Sequence, residues 1–185
     1  MIIYLASQSA RRKEILRRMK IKFRVVPSSY QERLIPGRAP RDLVLKHAEG
    51  KAIHAKVPRI ARYVLAADTL VWRKKIYGKP KSLPEARKML RSLSGKVHEV
   101  YTGVVLWDRV RKRLMKGVSC TRVQFKKLTS EEIGDYLLAI RPLDKAGAYA
   151  IQEGPRIVER IQGSYSNVVG LPRELVRRLL RKISG

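Results

Sequence analysis

Acidic side chains are scarce in this chain: 15 Asp and Glu stand against 42 Lys and Arg, a formal charge of +27 at pH 7. A field of that sign attracts polyanions and phosphorylated ligands. Cys120 is the single cysteine, which excludes an internal disulfide and any multi-cysteine metal site. Its surroundings, "VSCTRV", alternate as a strand does, and the expectation is a small buried hydrophobe. The three histidines, His47, His54 and His98, have no metal-ligand spacing. With two Phe and two Trp, little aromatic surface is offered for stacking nucleic-acid bases. Asn167 is the single Asn and Gln is infrequent, a depletion of heat-labile amides that points to a thermophilic source. No apolar run approaches the roughly 20 residues of a spanning helix, and no leader pattern opens the chain. A cytoplasmic protein without a membrane partner is expected.

What is present suffices for a core. At 185 residues and 44% hydrophobic content the chain fits one domain over residues 1–185, with room for two lobes. The basic residues are spread from Arg11 to Lys182 rather than gathered in a tail, as on a solvated surface. Strand and helix signals alternate. Ile2 to Leu5 reads as a strand, followed by a helix from Ala10, and Phe23 to Val26 reads as a second strand. A helix is predicted over Pro40 to Lys56, and the apolar run "YVLAADTLVW" holds a buried strand at Tyr63 to Ala67. Ser82 with Glu85, and Thr129 with Glu132, are capping-box signatures before two more helices. Between them Val97 to Trp107 and Val118 to Lys127 read as an antiparallel pair, and a last helix starts near Pro172. The pattern predicts an α/β fold with a mixed sheet.

Because acids are few, each can be assigned. Glu14, Asp42 and Glu174 each precede a Lys or Arg by four residues, as in exposed helix pairs, and Glu85 and Glu132 belong to caps. Asp68 is left at the end of "VLAAD", where burial of a charge is costly unless it is paired or cation-bound. A strand end opening into a loop is also where α/β proteins place ligands. Glu32 and Asp144, beside loop signals, are secondary candidates. In "IIYLASQSARRKEIL", Ser9 suits a helix N-cap, and the first-turn N–H groups form an anion site. Arg11 and Arg12 add forked donors that suit phosphate oxygens, although a capped helix with exposed arginines would look the same.

Taken together, "LASQSARRKEIL", "AEGKA", "AADTLV", "GKP", "LSGKVHEVYTGV", "LDKAGAYAIQ" and "GSYSNVVGLP" resemble the Maf family of nucleoside triphosphate pyrophosphatases, in family order from Leu5 to Pro172. The resemblance implies a two-lobed α/β mixed-sheet fold with a deep central cleft, related to the inosine triphosphate pyrophosphatases. It implies hydrolysis of a nucleoside triphosphate between the α and β phosphates, with a divalent cation, Mg²⁺ or Mn²⁺, as cofactor. Residue by residue, Ser7, Arg11 and Arg12 fall on the phosphate-binding motif. Glu32, Lys51, Asp68 and Lys79 fall on the charged catalytic set, with Asp68 and Glu32 as the metal ligands and Asp68 as proton acceptor. The combination Arg11, Thr69 and Gln152 resembles the branch preferring dTTP and UTP, rather than the one acting on 7-methyl-GTP. Two positions depart from the family: Ala10 stands where proline is usual, and Gln31 stands where many members carry a second acid.

The chemistry so implied needs neutralised phosphate charge, an in-line water and a group to activate it. Arg11, Arg12, Lys51 and Lys79 suit the first need, Asp68 with Glu32 the last. Gln152, which both donates and accepts, suits a base edge. Dimers are common in the family, so a homodimer stays open, as does non-specific polyanion binding by the surplus charge. A nucleic-acid-binding protein and an inosine or xanthosine triphosphate pyrophosphatase are the alternatives.

Overall fold

The computed structural model describes every residue except Leu34, Pro36 and Gly185. Its strands are Ile3–Leu5 (β1), Phe23–Val25 (β2), Tyr63–Arg73 (β3), Lys75–Tyr77 (β4), Val97–Asp108 (β5), Arg113–Phe125 (β6) and Val158–Gln162 (β7). Its helices are Ala10–Arg18 (α1), Pro40–Ile53 (α2), Leu83–Leu93 (α3), Ser130–Ala139 (α4), Tyr165–Val169 (α5) and Arg173–Ser184 (α6). Among the described residues the strands form one seven-stranded sheet in the order β2-β1-β3-β5-β6-β7, with β4 paired to β3. The β1 strand pairs in parallel with β2 and β3, whereas β4 and β7 pair antiparallel with β3 and β6, so the expected mixed α/β fold is present. Among the described residues no helix is long and apolar enough to cross a membrane.

The chain divides into two compact units, one made of Met1–Asp68, Thr102–Ser119 and the segment from Gly170 onward, the other of Thr69–Tyr101 and Cys120–Val169. In the first unit β1 is buried along its whole length, as a central parallel strand of apolar residues should be. Small side chains fill this core: Ala6, Ala48, Ala52 and Ala66 lie with Tyr4, Val64 and Val105. They let α2 approach β5 closely. A Cβ at Gly103 would lie 2.5 Å from the Val44 carbonyl oxygen, so only glycine fits there. The second unit is filled by larger groups, Leu90, Leu93, Phe125, Ile133, Tyr136 and Tyr149 among them, with α3 packed on α4. Its buried His98 meets Phe125 and Tyr149 edge to face and shares a 2.9 Å hydrogen bond with the Tyr149 hydroxyl.

Several elements differ from the sequence reading. The strand expected to end at Ala67 continues to Arg73, so Asp68 lies within β3 and not at its terminus. The reason is pairing: Val71, Trp72 and Arg73 face Tyr77, Ile76 and Lys75 across a tight turn at Lys74, whose φ is +57°. Cys120 is exposed, because the alternation along β6 turns Thr121 and Val123 inward instead. The Thr129 and Glu132 box closes in both directions. At the other helix the Ser82 hydroxyl accepts from the Glu85 N–H, while the Glu85 carboxylate accepts from the Lys81 N–H rather than that of Ser82.

Candidate active site

At the start of α1 the two serines have distinct tasks. Ser9 Oγ accepts from the Arg12 N–H at 3.4 Å, which makes it the N-cap that the sequence predicts. Ser7 Oγ accepts from the Ser9 N–H at 3.3 Å and from Arg12 Nη1 at 3.1 Å. Arg12 also donates from Nε to the Gly170 carbonyl at 2.9 Å, so its side chain is tied to the loop before the helix and to the segment leading into α6. Burial lowers its pKa, the charges of Asp68 and Glu32 raise it, and Arg11 lowers it again. Guanidinium remains charged at neutral pH in any protein setting.

The second cluster is centred on Lys51, near the end of α2. Its ammonium lies 2.6 Å from Asp68 Oδ1 and 2.6 Å from Glu32 Oε1. The Lys51 and Asp68 side chains are 13% and 8% exposed and that of Glu32 is 44% exposed, so the lysine and Asp68 carry most of the desolvation. Three segments remote in sequence, the loop before α2, the end of α2 and the middle of β3, thus meet at one cation. A carboxylate as buried as Asp68 is tolerated only with such a partner.

What places Glu32 was not evident in the sequence. Tyr30, two residues earlier, hydrogen-bonds His47 Nδ1 at 3.0 Å, while its N–H donates to Ser28 Oγ at 3.3 Å. Its ring lies over Gly50, where an added Cβ would overlap it. Burial, then the charges of Asp68 and Glu32, raise the Tyr30 pKa above its ordinary value, which keeps the phenol protonated. The glycine of "AEGKA" therefore has a packing reason beside Lys51, and Tyr30 anchors the loop that carries Glu32.

Of the sequence candidates, the structure brings together Glu32, Lys51 and Asp68, and Ser7 with Arg12; Arg11 follows on the first turn of α1. Thr69, Lys79 and Gln152 belong to the second unit. Thr69 is half-buried on β3, Lys79 is exposed after β4, and Gln152 is exposed in the turn region before β7. Gln152 Nε2 donates to Glu153 Oε1 at 3.2 Å. Asp144, the other secondary candidate, pairs with Lys145 at 2.8 Å.

As a cation site the Asp68 and Glu32 pair offers hard oxygen donors from two carboxylates. Among the described residues no group of three or more His, Cys, Asp or Glu could hold a metal. Two carboxylates suit an ion such as Mg²⁺, which keeps several waters and takes substrate phosphate oxygens as further ligands, better than an ion needing a full protein cage. The donors are oxygens of the kind such an ion takes, and here the Lys51 ammonium lies against both carboxylates.

Residues 2–183 match the family described as Maf-like protein, and the chain belongs to that family. It is 50% identical over 172 residues to the dTTP/UTP pyrophosphatase of Citrifermentans bemidjiense, covering 92% of this chain and 89% of the relative. It is 43% identical over 180 residues to the dTTP/UTP pyrophosphatase of Gloeobacter violaceus, covering 96% and 94%. Among solved structures, the Staphylococcus aureus Ham1 protein aligns over 100% of this chain and 98% of its own at 12% identity, with a TM-score of 0.47. The family assignment stands on the sequence match.

Proposed function

We propose that this protein hydrolyses dTTP and UTP to the nucleoside monophosphate and pyrophosphate. The observation that carries the reading is the Lys51 ammonium held between Asp68 and Glu32, in a chain half identical to a relative bearing that activity as its name. On this reading each group has a task. Arg11 and Arg12 bind the triphosphate oxygens and neutralise the charge that develops on the leaving pyrophosphate. Asp68 takes a proton from the attacking water, whose oxygen bonds the α phosphorus as the bond to the α–β bridging oxygen breaks. Lys51 orients Asp68 for that transfer. Asp68 and Glu32 would hold Mg²⁺ or Mn²⁺, which would polarise the phosphate oxygens when bound. Thr69 and Gln152 contact the base, and Gln152 carries both a donor and an acceptor for its edge.

The test is pyrophosphate release from dTTP, UTP, CTP, GTP, ITP and 7-methyl-GTP with Mg²⁺ or Mn²⁺. The reading expects turnover concentrated on dTTP and UTP. Preference for ITP would move the assignment to the inosine triphosphate class, and no turnover together with salt-sensitive nucleic-acid binding would replace the enzyme reading.

A further inference from the structure

The second unit contains a buried cation with no part in the chemistry above. Lys145 is 3% exposed and lies between the two short 3₁₀ turns at Pro142–Asp144 and Ala146–Ala148. Its ammonium donates to the Arg141 carbonyl at 2.7 Å and to Asp144 Oδ1 at 2.8 Å, and lies 3.0 Å from Glu153 Oε2. All three of its hydrogens are thereby accounted for. The other carboxylate oxygen of Glu153 accepts from the Gln152 amide nitrogen at 3.2 Å. The backbone just before this pair is fixed as well, since the buried Tyr136 hydroxyl both donates to the Ala150 carbonyl and accepts from the Ala150 N–H, each at 3.0 Å.

We propose that Lys145 and Glu153 are positioning residues that lock the Gln152 amide in one orientation, and that this lock separates uracil and thymine from cytosine. The inference rests on the reading of Gln152 as a base-edge ligand. A carboxylate can only accept, so the amide must turn its nitrogen toward Glu153; the flipped amide would set oxygen against oxygen. Lys145, itself anchored at two other points, holds Glu153 to that task. The amide's remaining edge then shows its carbonyl oxygen and second N–H in a fixed order.

That order has chemical consequences. Uracil and thymine present a ring N3–H donor beside the O4 acceptor, and a locked amide can meet both. Cytosine presents the same two positions reversed, a ring N3 acceptor beside an amino donor, and would need the amide turned over. Guanine, with N1–H beside O6, has the order of uracil, so the lock does not act against it. A site whose polar groups are left unpaired by the wrong base rejects that base.

Glu153→Gln tests this, because a glutamine there can face either end of the Gln152 amide. The ratio of kcat/KM for UTP over CTP should fall about tenfold, a change of about 1.4 kcal/mol, while the UTP over GTP ratio stays within about twofold. A general loosening of the loop would move both ratios together and would overturn the proposal. Gln152→Ala separates the lock from the base contact. If Gln152→Ala lowers the UTP over CTP ratio and Glu153→Gln does not, the lock is wrong and the base-edge reading survives. If neither variant changes the ratio, the base-edge reading of Gln152 falls and the lock with it.

Discussion

His98 should make the protein lose stability in mild acid, with a slope that one substitution removes. The imidazole is 1% exposed among Phe125 and Tyr149, and burial, helped by the charge of Arg73, lowers its pKa from 6.5 to about 3. In the unfolded chain it titrates at its ordinary value. Below about pH 6.5 the unfolded state therefore binds a proton that the folded state refuses, and stability falls by about 1.4 kcal/mol per pH unit until the folded pKa is reached. The stabilising difference is fully present above the unfolded pKa and is lost as pH falls below it. Between pH 6.5 and 4.5 the loss amounts to about 2 kcal/mol, a sizeable part of the roughly 5–15 kcal/mol of a typical domain. Denaturant unfolding at several pH values, on the native protein and on His98→Gln, isolates the effect, since glutamine can still hydrogen-bond the Tyr149 hydroxyl but does not titrate. Equal pH slopes in the two proteins would refute the assignment of a buried neutral imidazole.

Further predictions concern the first unit. Lys51→Met leaves Asp68 and Glu32 without their shared cation; turnover should fall at least about a hundredfold, near 2.7 kcal/mol of barrier. The accompanying stability loss, read from the unfolding midpoint, should stay below the roughly 3–5 kcal/mol of a fully buried broken pair, because Glu32 keeps much of its water. Gly50→Ala inserts a methyl group where the Tyr30 ring lies and should destabilise by about 1–3 kcal/mol in thermal unfolding. For Asp108, burial raises the pKa, but the Arg111 N–H, the Arg62 guanidinium and the Val110 N–H outweigh it and leave the value below that of an ordinary carboxylate. Its contribution is thus present above the unfolded pKa and lost as pH falls below about 3.8, and Asp108→Asn should flatten the acid limb of the stability curve.

Much of the framework was legible because periodicity and capping report local energetics. The Ser9 cap, the Thr129 to Glu132 box and the central strands β1 and β3 follow from residue type and spacing. The missed elements depend on their pairing partners. The three-residue β4 exists through its pairing with the far end of β3, and β7 through its register with β6. The site divides in the same way. Asp68 was singled out by its cost, a charge inside an apolar run, while its lysine was supplied by family resemblance and by no local pattern. Tyr30, Gly50 and Glu153 escaped because an aromatic beside a loop, a glycine in a helix and one more acid are ordinary in sequence. Their meaning lies in what faces them: His47, the Tyr30 ring and the Gln152 amide.

The most direct measurement of the central claim is steady-state pyrophosphate release from dTTP and UTP by Asp68→Asn beside the native protein, with circular dichroism and thermal unfolding on the same samples. Asn keeps the shape of Asp but can neither take the water's proton nor balance Lys51. The account predicts a folded protein whose kcat falls by at least about three orders of magnitude, near 4 kcal/mol of barrier. A folded variant that turns over dTTP at the native rate would contradict it and place the proton acceptor elsewhere.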